Sequence, residues 1–449
     1  DLKTLKVVLE LYVHDSADRI GTVDRRSPVG EYFDGLDRGE RKLIYVDERA
    51  AAAGAGAVVG HPATIEQNER REAAERNLRA PVGVVGAGLM ASQLALLLLR
   101  NLKCPIVMTD IDQERADKGV AWVKNELAKL VEKKRMSPES AARLALLISG
   151  SSDQNTFAGC DFIIEAIFEE LSLKQELFKK LETIVSPECV LATNTSSLSV
   201  ERMSEGLKNP ERVVGFHFFN PVAIMPLLEV ARTSKTDDAT TATAISVGKE
   251  LKKTMIICKD APGFVVNRLL TRFMGEITDA VDEGTSPEVA DNAMRAIGFP
   301  MSPFQLLDLV GPGVALHVSE TLHANLGDRY RISPTMAAMV KQGVRNFYVK
   351  NEDGSFGANP AALALIHKGD SPSTAEQVRS RALTALAVEA RMMLDEGVVS
   401  TPAEIDLCML MGAGWPMHLG GILPYLDREG ISEAACGQRF HPKAVASLP

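Results

Sequence analysis

The chain has 449 residues, 45% hydrophobic and 24% charged, a composition expected of a soluble globular protein with roughly two to four domains. Its formal charge of −9 argues against nucleic acid or an anionic membrane as the main partner. Six scattered cysteines without a C-x-x-C pair read as reduced thiols of a cytoplasmic protein, and no apolar run is long enough to span a bilayer.

Residues 1–79 mix charge, Gly and Ala without clear periodicity, and only TIEQNERREAAERNLRA reads as a charged helix. No chemistry is assigned to this N-terminal extension, whose opening, DLKTLKVVLE, lacks the layout of a signal peptide. The pattern then changes. PVGVVG reads as a strand, AGLMASQLALLLLRNL as a helix and CPIVMTD as a strand, which together make a βαβ unit. DQERADKGVAWVKNELAKLVEKKR is a helix, and MSPESAARLALL opens another with Ser137 as N-cap and Pro138 at the first position. CDFIIEAI, CVLATNTSS, RVVGFHFFNP and LLEVARTS supply further strands, with EELSLKQELFKKLETI a helix between the first two. Residues 80–260 are therefore expected to form a Rossmann-type doubly wound α/β sheet domain.

After DAPGF helical periodicity dominates, and the chain repeats itself. NRLLTRFMGEITDAVDEG is echoed by SRALTALAVEARMMLDEG, and GFPM by GWPM. Two repeated all-α domains are expected, one over 261–373 with its connector and one over 374–449.

Three stretches carry chemistry. In GVVGAGLMASQ, Gly86 and Gly88 follow a strand and open a helix, so a pyrophosphate fits against backbone N–H groups there and a side chain at either glycine would block it. A plain tight turn is the rival reading. Asp110 ends the next strand, where a carboxylate accepts from an adenosine ribose and disfavours a 2′-phosphate; Asp112 competes for that role. In ATNTSSLS, Asn194, Thr195, Ser196 and Ser197 bring small donors to the carboxyl end of the sheet, although a helix cap explains them equally well. GFHFFNPVAIMPLLEV holds His217, Asn220 and Glu229. A lone histidine there is ordinarily a core residue. Beside a nicotinamide, an imidazole backed by a carboxylate becomes a base for a secondary alcohol.

Gly86-x-Gly88, NTSS, HFFNPV with its following Glu, and KDAPGFVVNRLL occur in the order found in L-3-hydroxyacyl-CoA dehydrogenases. Over roughly residues 80–449 the chain most resembles the dehydrogenase part of multifunctional fatty-acid β-oxidation proteins. The resemblance implies His217 as catalytic base, Glu229 as its orienting partner, and Ser196 with Asn267 on the reacting oxygen. It implies Gly86, Gly88, Met90, Asp110, Glu169, Lys174 and Asn220 as contacts of NAD, and Tyr425 as a substrate contact. An acyl-CoA is the implied substrate, with a thiolase subunit or a second copy of the chain as partner. The short members carry one helical copy and dimerise through it, so the second copy is also read as a built-in replacement, giving a monomer. Where the family has Met-Gly this chain has Met90-Ala91, and GVRNFY replaces a Gly-rich connector. Nothing in residues 1–79 resembles a hydratase domain, so no hydratase activity is expected of them. A dehydrogenase of free β-hydroxy acids and a non-catalytic scaffold of a β-oxidation complex are the competing readings.

Overall fold

The computed structural model describes residues 80–350, 356–367 and 369–446. The N-terminal extension, with its expected charged helix, lies outside the described residues. Eight strands are β1 Val82–Val85, β2 Ile106–Thr109, β3 Ile148–Ser151, β4 Phe162–Glu165, β5 Val190–Thr193, β6 Val213–Phe218, β7 Leu227–Arg232 and β8 Thr254–Lys259. They make one sheet in the order β3-β2-β1-β4-β5-β6-β7-β8. Neighbours run parallel except β6 and β7, which are antiparallel. The central strands VGVV, FIIE and VLAT are buried throughout, as parallel strands covered on both faces must be. The sheet reverses its winding between β1 and β4, and the crevice at their carboxyl ends is where open α/β sheets take ligands.

Connecting helices fall where apolar periodicity puts them: Leu89–Leu102, Gln113–Glu132, Pro138–Leu146 and Leu171–Glu182. Ser137 caps the third through the Ser140 N–H, with Pro138 in its first turn. β3 and β8 have no counterpart in the sequence reading. Both are edge strands: ISGS buries only its isoleucine, and TMIICK buries only two of its residues.

Beyond Gly263 the described chain is mainly helical. Helices Val266–Asp282 and Ala375–Asp395 lie against each other and bury apolar faces in a core shared with one side of the sheet. The sequence repeat is also a repeat of contacts. Arg268 Nε donates to Glu389 at 2.6 Å, while its two terminal nitrogens grip Glu396 at 2.6 and 3.0 Å. Arg381, the equivalent arginine of the second copy, donates through Nε to Glu276 at 3.1 Å and grips Glu283 at 2.5 and 3.2 Å. Glu276 and Glu283 are the counterparts of Glu389 and Glu396, so the two copies clasp each other reciprocally.

A second device recurs in each copy. Asp291 accepts from Phe304 N–H at 2.8 Å and from the Tyr348 hydroxyl, while Asp308 accepts from the N–H groups of Phe347 and Tyr348. Asp406 accepts from Leu423 N–H at 2.8 Å and pairs with His441 Nε2, while Asp427 accepts from the N–H groups of Phe440 and His441. The connector GVRNFY is thus held as the chain's own second copy holds RFH. All six cysteines are free, and no described helix is long and apolar enough to cross a membrane.

Candidate active site

Strand register builds the first pair. β6 reads VVGFHF and is buried throughout; its antiparallel partner β7 sets Glu229 directly opposite His217, on the same face. Nδ1 of His217 lies 2.7 Å from Oε2 of Glu229. The other carboxylate oxygen accepts from the N–H groups of Val265 and Val266 at 3.1 and 3.0 Å, where helix Val266–Asp282 begins. Glu229 is therefore an acceptor on every side, which makes His217 Nδ1 the donor and leaves Nε2 as the acceptor. Glu229 is fully buried, while His217 keeps 5% of its surface exposed. Phe219 and Phe264 pack around the ring, with centroids 4.5 and 5.7 Å away.

The glycine turn stands at the end of β1. Gly86 has φ +106°, and a Cβ there would lie 2.8 Å from the Ala166 carbonyl oxygen, so only glycine fits. A Cβ on Gly88 would meet nothing within 4 Å. That open space faces the start of helix Leu89–Leu102, which has no side-chain cap and leaves its first N–H groups for an anion. Asp110 Oδ2 accepts from Ala87 N–H at 2.7 Å, placing the carboxylate on the turn. Asp112 instead caps helix Gln113–Glu132 through Arg115 N–H. Of the two acids, Asp110 is the one on the glycine turn and Asp112 the one engaged as a helix cap. Met90 is half-buried against the core beneath the turn. These residues fit a dinucleotide.

Between the turn and the histidine runs a polar network that sequence reading found only in part. Lys174 is not a surface lysine: it is 1% exposed, with Nζ 2.7 and 3.0 Å from Glu165 and 3.0 Å from Glu169. Glu165, wholly buried at the end of β4, also accepts from Thr193 Oγ1 and Ile167 N–H at 2.7 Å each. Glu169 accepts from Thr195 Oγ1 at 2.5 Å and Ser196 N–H at 2.9 Å. Burial raises its pKa, but the Lys174 ammonium and these hydrogen bonds outweigh burial and hold the carboxyl below its usual range. Asn267, in the first turn of helix Val266–Asp282, donates through Nδ2 to the Ser196 carbonyl at 3.1 Å. Asn194 accepts from Phe218 N–H at 2.9 Å and so ties the NTSS segment to the strand of the histidine.

Tyr425 lies apart from this group. It sits in the second helical copy, half-buried, its ring 5.6 Å from Trp415 and the Arg428 guanidinium 5.9 Å from it. Trp415 contacts Phe299, which contacts Phe273 on the helix of Asn267. An aromatic row thus links GWPM and GFPM to the helix that carries Asn267. Glu165 escaped sequence reading, although a lone acid closing the strand FIIE was the available signal. Asp260 escaped it too; it accepts from Ser199 Oγ and the N–H groups of Val200 and Glu201, fixing the segment that follows NTSS.

The model of the 3-hydroxyacyl-CoA dehydrogenase NAD binding domain matches residues 81–261, and that of the 3-hydroxyacyl-CoA dehydrogenase C-terminal domain matches 263–351. A peroxisomal fatty acid beta-oxidation multifunctional protein of Arabidopsis thaliana is 32% identical over 78% of this chain and 50% of its own length. The fatty acid oxidation complex subunit alpha of Shewanella putrefaciens is 31% identical, over 80% of this chain and 53% of its own. The chain spans about half the length of these curated relatives. The crystal structure of (S)-3-hydroxybutyryl-CoA dehydrogenase from Ralstonia eutropha is 33% identical with a TM-score of 0.56, covering 59% of this chain and 95% of that one.

Proposed function

The chain belongs to the 3-hydroxyacyl-CoA dehydrogenase family, and we propose that it oxidises an L-3-hydroxyacyl-CoA to the 3-ketoacyl-CoA with NAD, reversibly, as a step of fatty-acid β-oxidation. The observation that carries this reading is the 2.7 Å contact of His217 Nδ1 with Glu229, which leaves Nε2 as the only basic atom of the ring. The hydroxyl proton of the substrate passes to Nε2 while the C3–H bond gives up its hydride. Glu229 then faces the imidazolium and stabilises its charge, as the carboxylate of a catalytic triad does. Ser196 and Asn267, already linked at 3.1 Å, steady the oxygen as it becomes a carbonyl.

When bound, the nicotinamide supplies the hydride acceptor. Gly86, Gly88 and Met90 would hold the pyrophosphate side of that cofactor, and Asp110 its ribose, favouring NAD over NADP. Glu169 and Asn220 would line the route towards His217. Lys174 acts from behind Glu169, because its ammonium is taken up by two carboxylates. Tyr425 is assigned to the acyl-CoA side.

The helical half is read as two copies of one unit, 261–373 and 374–449, following the sheet domain at 80–260. As partner the reading takes a thiolase subunit, in a cytoplasmic setting; a relative named as a complex subunit supports the first point. The test is NADH absorbance with acetoacetyl-CoA and with a long-chain 3-ketoacyl-CoA. Oxidation of NADH by either supports the activity. Turnover of free 3-hydroxybutyrate but of neither thioester would replace it.

A further inference from the structure

Gln93 lies on helix Leu89–Leu102, one turn beyond its glycine-rich start, and its amide reaches the loop between β6 and β7. Its Oε1 accepts from Val222 N–H at 2.9 Å, and its Nε2 donates to Asn220 Oδ1 at 3.0 Å. Polarity along this chain of groups has one solution. A backbone N–H only donates, so the Gln93 oxygen must face Val222 and its NH2 must face Asn220. Asn220 then turns its oxygen to Gln93, and Nδ2 is left over; among the described residues Nδ2 has no partner. Asn220 is exposed and follows His217 by three residues, at the same end of the sheet as the glycine turn. Lys253 pins the far side of the loop, donating to the carbonyls of Val222 and Met225 at 2.5 and 2.7 Å.

We propose that Gln93 is a positioning residue: it fixes the amide of Asn220 so that the site offers a donor, not an acceptor, to the carboxamide oxygen of the nicotinamide. The proposal rests on the dehydrogenase reading above and deepens it. One helix would then serve two parts of the cofactor, the pyrophosphate through its N-terminus and the nicotinamide ring through Gln93.

Gln93→Glu tests this, because a carboxylate keeps the Val222 bond yet draws the NH2 of Asn220 towards itself, turning the wrong atom to the ligand. Affinities for NADH and for ADP-ribose, which lacks the ring, are measured by calorimetry on folded wild type, Gln93→Glu and Gln93→Ala, with unfolding midpoints compared. Gln93→Glu should weaken NADH about tenfold more than it weakens ADP-ribose, and more than Gln93→Ala weakens NADH. An equal loss for both ligands would mark mere charge repulsion and overturn the proposal. So would a Gln93→Glu variant no worse than Gln93→Ala. Wild-type turnover of acetoacetyl-CoA separates the two claims: its absence removes both, whereas turnover without the ligand difference removes only the role of Gln93.

Discussion

Arg268 meets Glu389 through Nε at 2.6 Å, and neither side chain reaches solvent. Its counterpart Arg381 makes the reciprocal contact with Glu276, but with 32% of its side chain exposed. Removing Arg268 takes away the buried cation of Glu389 and leaves it Arg329, whose Nε lies 2.9 Å away, so Arg268→Met should cost about 3 kcal/mol of unfolding free energy. Arg381→Met should cost about 1 kcal/mol, because solvent screens the charges left behind. Urea titrations of the two variants make the comparison. Equal losses would show that burial does not set the difference.

Reciprocal pairing of this kind is what a two-fold dimer makes between identical surfaces. Here both surfaces belong to one chain, and helices Val266–Asp282 and Ala375–Asp395 occupy each other. Sedimentation should therefore find a monomer at micromolar concentration. A dimer whose contact protects helix Val266–Asp282 from hydrogen exchange would defeat this prediction.

Lys174 stands between Glu165 and Glu169 with almost no exposure. Lys174→Met takes the counter-ion from buried Glu165 and from partly exposed Glu169, at a cost of about 3 kcal/mol near neutral pH. The sign of the pH dependence follows from Glu169, whose folded pKa lies below its ordinary value of 4.5. Its contribution to wild-type stability is full above that value and is lost as pH falls through the lower, folded one. The deficit of Lys174→Met should therefore shrink as pH drops below the carboxylate range, as followed by circular dichroism in urea. A deficit that stays constant with pH would show that the charges do not matter.

Asp110 is tied to the glycine turn by Ala87 N–H at 2.7 Å and to its own loop by Ile111 N–H at 2.7 Å. Asp110→Ala should weaken NADH about tenfold by removing hydrogen bonds to the ribose. The same change should narrow the preference over NADPH, since the repelling carboxylate is gone. Parallel titrations of both cofactors check this, and an unchanged ratio would remove Asp110 from the role.

Much of the sheet was readable because its central strands are short, apolar and bounded by glycine or capped helix starts. His217 and Glu229 were readable as a pair because an antiparallel strand returns after a short loop and puts them opposite one another. What escaped was set by tertiary contact. Glu165 and Lys174 look like ordinary acid and surface lysine until the helix Leu171–Glu182 folds one onto the other. Gln93 and Asn220 are 127 residues apart, and no local pattern announces that their amides meet. The repeat was plain in the sequence, yet that Arg268 and Arg381 clasp the other copy's glutamates needed the packing of the two helices.

The central claim is that the imidazole of His217, held by Glu229, takes the proton of the substrate alcohol. The most direct measurement is the steady-state kcat of His217→Gln with a 3-hydroxyacyl-CoA, alongside NADH affinity. In this variant kcat should fall by roughly two to four orders of magnitude with NADH binding retained. Turnover equal to wild type in a variant that still binds NADH would contradict it.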